Sequence, residues 1–199
     1  MLKFTKIPFV AVLIALMTVS GVSLFGATIT FEDLPDAHFF SSGGQNIGTF
    51  YPGLDFEPNV TALSVTRCGG FDNVAFPTHS GDVAIWDASD DSITISFAAP
   101  QDAVGIWYTS LNPITLSALD STSTSLGAAS GNANTDGTTG ASDFISFSGS
   151  GISAIQISSV AGQYILDDLQ FTSGAIAATP EPATVSIAIL GILFLLMAS

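Results

Sequence analysis

The chain has 199 residues, 47% of them hydrophobic, and sets 17 Asp and Glu against 3 Lys and Arg for a formal net charge of −14. That sign repels phosphate backbones and excludes nucleic acid as a partner. A single cysteine, Cys68, excludes an internal disulfide, and the length allows one domain with one sizeable core plus processing segments.

In chain order the first element is an export signal. Lys3 and Lys6 form its basic start, Phe9–Val19 is an apolar run too short to span comfortably, and small residues follow. Cleavage after Ser23 leaves Gly21 and Ser23 at the small-residue positions. A later site after Ala27 puts bulky Phe25 where a small residue is wanted, so residues 1–23 are read as the signal. Its removal takes the charge from −14 to −16 and leaves Arg67 as the one remaining Lys or Arg. Uncompensated carboxylates on an exported protein point to divalent cations, calcium first, or to a solvated acidic surface. Cys68 sits in the Gly-rich turn RCGGF and reads as inert.

From Ala27 to Gly174 short β-branched and aromatic runs alternate with Gly, Pro, Asn, Asp and Ser, with no sustained helical period. SITISF places Ile93, Ile95 and Phe97 on one face, and ISAIQIS repeats the pattern with Ile155 and Ile157. Strands are predicted at 27–32, 47–51, 54–56, 60–66, 83–86, 92–98, 103–109, 113–119, 123–128, 143–148, 153–158 and 163–172. Turn signals such as AAPQD and SGSG separate them. Many short strands with no covering helix predict an all-β fold, an antiparallel two-sheet sandwich of jelly-roll type over residues 27–174. Asp120–Gly140 reads as a long loop with an edge strand in its first half.

Residues 175–182 form a small-residue linker ending in Pro180-Glu181-Pro182, and 183–199 are an uncharged apolar segment. The two prolines forbid helix across the junction and present Glu181 on extended backbone ahead of a membrane-seeking stretch. Spacer, recognition point and hydrophobic tail follow the logic of a sorting signal.

That tail resembles the PEP-CTERM sorting signal. The resemblance implies a bacterial protein that is exported, held transiently in the inner membrane by its C-terminal helix, and processed by an exosortase that recognises Pro180, Glu181 and Pro182. It also implies a host that makes extracellular polysaccharide and biofilm. ITFEDLP, GLDFE, FPTHSGDVAIWD, ITISFAAP and YILDDLQF are similar to sandwich ectodomains of that family. One feature departs from the pattern: the chain closes LLMAS, without the arginine cluster that would hold the C-terminus inside.

In YILDDLQF, Asp167 shares parity with Ile165, Leu169 and Phe171 and is predicted to face inward, which costs free energy unless it is hydrogen-bonded or metal-bound. Glu32 and Asp33 end the first strand. By resemblance to jelly-roll carbohydrate-binding modules, whose first and last strands share a structural calcium, Glu32 and Asp167 are the calcium candidates, with Asp33 and Asp168 in reserve. The competing reading has these acids accept backbone N–H groups at strand ends. Asn132, Asn134, Asp136, Gly137 and Asp143 match positions 1, 3, 5, 6 and 12 of an EF-hand loop, but no helical pattern flanks them and ordinary turn chemistry fits as well. Asp87, Asp90 and Asp91 in WDASDDS read as a solvated turn.

His79 stands beside Ser80 and Asp82, and His38 is the other histidine. No nucleophile elbow or strand–turn–helix context accompanies them, so no catalytic residue is assigned. Trp86, Trp107, Tyr51 and Tyr108 are sugar-stacking candidates, with Trp107 on the face opposite Val104, Ile106 and Tyr108. Asn59-Val60-Thr61 matches a glycosylation sequon. The sequence therefore predicts an exported, non-enzymatic surface or matrix protein. The alternative is a carbohydrate-binding module, and the third reading is a glycan-active hydrolase.

Overall fold

The computed structural model describes residues 26–34, 46–66 and 72–173. The signal segment, His38, Cys68 and the PEP tail lie outside the described residues. Nine strands are present: β1 (Ala27–Ile29), β2 (Leu54–Phe56), β3 (Thr61–Ser64), β4 (Val83–Trp86), β5 (Ser92–Ser110), β6 (Ile114–Leu119), β7 (Ser125–Gly131), β8 (Asp143–Ser158) and β9 (Tyr164–Ser173). All pairings are antiparallel, in the order β3-β4-β9-β5-β8-β6-β7, with β1 on β9 and β2 on β5. Among the described residues there is no helix.

The two longest strands turn one hydrogen-bonded sheet into two packed layers. The first half of β5 pairs with β2 and the last part of β8, while its second half pairs with the first part of β8 and with β9. Ile93 and Ile95 from the first half then meet Val104 and Ile106 from the second in one core, with Leu116, Ile155 and Leu166. The predicted breaks at AAPQD and SGSG are bends inside continuous strands. Register shifts flank Gln101, and Gly151 opposite them takes φ 83°. Pro100 lacks an N–H and suits a bulge, and glycine suits the positive φ, so the residues that signal turns here mark the corner.

Residues 47–51, expected as a strand, form turns instead. Phe50 N–H donates to the Ile47 carbonyl and Leu54 N–H to that of Tyr51. The edge strand expected after Asp120 is β7, displaced slightly toward the C-terminus.

A second, smaller apolar cluster lies on the outer side of β3, β4 and β9: Leu63, Ala84, Trp86 and Ile165, with Phe76 packed on it. β4 is thereby covered on both faces, which explains why all four of its residues are buried.

Candidate functional site: a carboxylate-anchored strap and an open groove

The segment 72–83, which contributes Phe76 to the outer cluster, is a strap tied down along its length. Thr135 Oγ1 donates to the Ala75 carbonyl (2.5 Å), Gly140 N–H to that of Val74 (2.8 Å), and Thr109 Oγ1 to that of Pro77 (2.9 Å). Beyond these the anchors are carboxylates. Asp167 Oδ2 accepts the N–H groups of His79 (2.7 Å) and Ser80 (3.0 Å), and its Oδ1 accepts that of Asp168 (2.7 Å). Glu32 Oε1 accepts the N–H groups of Asp82 (2.9 Å) and Val83 (2.7 Å). Between them Gly81 takes φ 49°, and the Glu32 carboxylate stands where a Cβ would be, so only glycine fits.

Glu32 and Asp167, the calcium candidates of the sequence, both use oxygens on backbone N–H donors of residues 79–83, and Asp167 also on that of Asp168. Asp33 Oδ1 instead accepts the Tyr51 hydroxyl (2.6 Å), and Asp168 Oδ1 accepts that of Ser80 (2.7 Å). No group of three or more His, Cys, Asp or Glu side chains suited to a metal ion is gathered among the described residues.

The expected parity of Asp167 changes for a local reason. β9 carries one extra residue between the pairs Gly105–Gln170 and Trp107–Asp167, and Asp168 there takes φ 42°. Leu169 beyond this bulge joins the main core. Before it, Leu166 faces that core while Ile165 joins the outer cluster. Asp167 therefore lies on the outer face, paired across the strands with Trp107, and not toward the main core. Burial pushes its carboxyl up to about 7, aided by the Asp168 charge and opposed by the three N–H donors.

His79 lies flat on Trp107, with ring centroids 3.4 Å apart and planes 8° from parallel, and Phe144 flanks the same indole at 5.3 Å. The outer placement of Trp107 agrees with its parity, but the strap occupies one face of the ring. His79 Nε2 stands 3.8 Å from Asp168 Oδ2, while Ser80 Oγ donates to the same carboxylate. Histidine and serine both address the acid, which is not the nucleophile–base order of a triad.

Tyr51, Tyr108 and Trp86 are buried in the two clusters, which removes them as sugar platforms. Among the described phenylalanines, tyrosines and tryptophans the most exposed are Phe50, at 42%, and Phe144, while Trp107 is half-buried. Phe50 packs edge-on against Tyr51 at 5.0 Å and borders an open groove of about 580 Å³, lined also by Asn46, Thr49, Asp55, Glu57 and Pro58. A phenylalanine inside a predicted strand gives no exposure signal, so sequence reasoning missed this groove.

The EF-hand-like residues serve turns. Asn134 Oδ1 accepts the Ser110 N–H, and Asp136 Oδ1 accepts the N–H groups of Thr138 and Thr139. In WDASDDS, Asp90 and Asp91 are exposed as expected, but Asp87 is 1% exposed. Its Oδ1 accepts Ser89 N–H, Ser89 Oγ–H and Asp90 N–H, so the turn closes over it.

No protein-family model matches the chain, and no curated protein matches it. Among solved structures it is similar to a carbohydrate-binding module (CBM6cm-2) of Cellvibrio mixtus lichenase 5A in complex with cellotriose, at 15% identity, covering 76% of this chain and 99% of that one, with a TM-score of 0.39. A second is CsCBM6-3 from Clostridium stercorarium with cellobiose, at 16% identity over 66% and 95%, TM-score 0.37. A third is the CBM22-1–CBM22-2 tandem of Paenibacillus barcinonensis Xyn10C, at 11% identity over 82% and 50%, TM-score 0.40. Likeness at this level carries no argument about ligand or site.

Proposed function

We propose that the chain is an exported, non-enzymatic jelly-roll protein of the cell surface or extracellular matrix, sorted through Pro180-Glu181-Pro182, and that its sandwich binds extracellular polysaccharide in the Phe50 groove. The observation that carries the binding reading is the groove itself. A sugar ring offers an apolar C–H face to an aromatic ring and hydroxyls to carboxylate and amide oxygens. Phe50 supplies the first, and Asn46, Asp55 and Glu57 supply the second. With acids on its walls the groove suits neutral glycans and repels uronate-rich ones.

The test is retention of the full chain, purified in detergent, on the producing strain's extracellular polysaccharide. Saturable binding is expected, weakened about tenfold by Phe50→Ala, or ~1.4 kcal/mol. The thermal midpoint should not change, because Phe50 stands outside the core. Binding that is absent, or indifferent to both Phe50→Ala and Asp55→Ala, overturns the reading and leaves a matrix protein whose partners are other proteins. Sorting is tested separately: Glu181→Ala is expected to retain the tail in the inner membrane, and unchanged processing refutes the exosortase assignment.

A further inference from the structure

Three buried oxygens at one end of the sandwich have no hydrogen-bond partner: Asp87 Oδ2, Tyr164 Oη and Glu57 Oε1. Asp87 and Tyr164 are each 1% exposed. They come from three places in the chain: the residue after β4, the first residue of β9, and the residue after β2. The antiparallel pair Ile85–Leu166 brings Asp87, two residues later on the β4 side, across from Tyr164, two residues earlier in β9. The pair Thr61–Trp86 sets Val60 beside Asp87, and Val60 N–H donates to the Glu57 carbonyl, which brings Glu57 to the same end. Burial first, then the charges of Asp87, Glu57, Asp91 and Asp90, hold the Tyr164 phenol above its ordinary range.

Orphaned polar atoms are rare in native interiors, and three together call for an occupant. A phenol hydroxyl supplies one proton and no countercharge, whereas a buried carboxylate needs a paired charge. The described residues have none to give. Of the chain's three Lys and Arg, none lies among the described residues, while every acid except Asp36 and Glu181 does. His79 is committed to the strap.

We propose that Asp87 Oδ2, Glu57 Oε1 and the Tyr164 oxygen bind a hard divalent cation of the calcium class. Calcium takes six to eight oxygens at no fixed angles and accepts carboxylate, carbonyl and water together, so two carboxylates and neutral oxygens make an ordinary set. The cation neutralises the acids that the chain leaves uncompensated and joins β4, β9 and the segment after β2 at one end of the sandwich. The site shares Glu57 with the Phe50 groove, whereas neither Asp87 nor Tyr164 lines the latter.

The test uses the full chain, stripped with chelator and then given millimolar Ca²⁺. The thermal midpoint is expected to rise by about 5–10 °C, as binding far above Kd does for a domain of this size. Terbium in place of calcium is expected to luminesce on excitation of Tyr164 and neighbouring Trp86. Both signals should vanish in Asp87→Asn and weaken in Glu57→Gln, and both should persist in Glu32→Gln. If Asp87→Asn fails to fold, Glu57→Gln and Tyr164→Phe carry the comparison. Absence of both signals in the unaltered chain overturns the proposal, leaving a water or a shared proton as the occupant. Signals lost in Glu32→Gln but kept in Asp87→Asn also overturn it, by moving the cation to the strap. Polysaccharide binding plays no part in either readout, and Asp87→Asn and Phe50→Ala each touch one site only, so this proposal and the groove can fail separately.

Discussion

Two sets of carboxylates, each built round a buried aspartate, sit in this sandwich, and the chain treats them differently. Under the strap, Asp167 and Glu32 meet five backbone N–H groups, those of His79, Ser80, Asp168, Asp82 and Val83. At the end bounded by the 87–91 turn, Asp87 satisfies one oxygen locally and leaves the other, like Tyr164 Oη and Glu57 Oε1, without a hydrogen-bond partner. The first arrangement is complete within the protein. The second leaves three oxygens without a partner among the described residues. A buried acid therefore does not by itself signify a metal: what decides is whether the fold delivers N–H groups to it, as it does to both oxygens of Asp167.

The comparison breaks most sharply at Asp167. Asp167→Ala leaves three inward N–H groups without an acceptor and is expected to cost about 3 kcal/mol at pH 5, read from urea unfolding. A loss below roughly 1 kcal/mol would mean that water replaces the carboxylate and that the strap is not anchored there.

The pH profile sharpens it. Asp167 ordinarily titrates near 3.8 and is held at about 7 when folded, so the folded state binds its proton more tightly. Its contribution is complete below about pH 4 and is lost as pH rises through 7, with a slope on the order of 1 kcal/mol per unit at the steepest. Unfolding curves from pH 5 to pH 8 should show this decline, and Asp167→Asn should flatten it. An unaltered decline in the variant would assign the slope to another group.

The smallest effect is expected at His79. His79→Ala removes the ring stacked on Trp107 but keeps the backbone N–H that Asp167 accepts, so a cost of about 0.5–1 kcal/mol follows. Tryptophan emission should shift as the indole face opens to water. A larger cost would show that the side chain, and not the backbone, holds the strap.

Much of the architecture was readable from the sequence because it rests on a period of two. Ile93, Ile95, Phe97, Ile155 and Ile157 face the core as their alternation requires. The corner was not readable, because proline and glycine mark a bulge with the same letters that mark a turn. For the same reason the face of Asp167 was misjudged: one extra residue at Asp168 reverses parity beyond it, and alternation counted from Leu169 and Phe171 gives the wrong side. The burial of Asp87 is not legible in the sequence. A turn rich in Asp and Ser has the same composition whether water or a folded strand lies beneath it. Phe50 escaped notice because its exposure depends on turns where a strand was expected.

The uncompensated acidity has a consequence outside folding. Past Arg67 the chain contains no lysine or arginine as far as Ser199. Trypsin-like proteases have no bond to cut there, and reagents that couple to lysine amines find nothing to join. In a matrix exposed to secreted proteases, such a protein outlasts its neighbours. In a survey that identifies proteins by tryptic fragments it goes almost unseen.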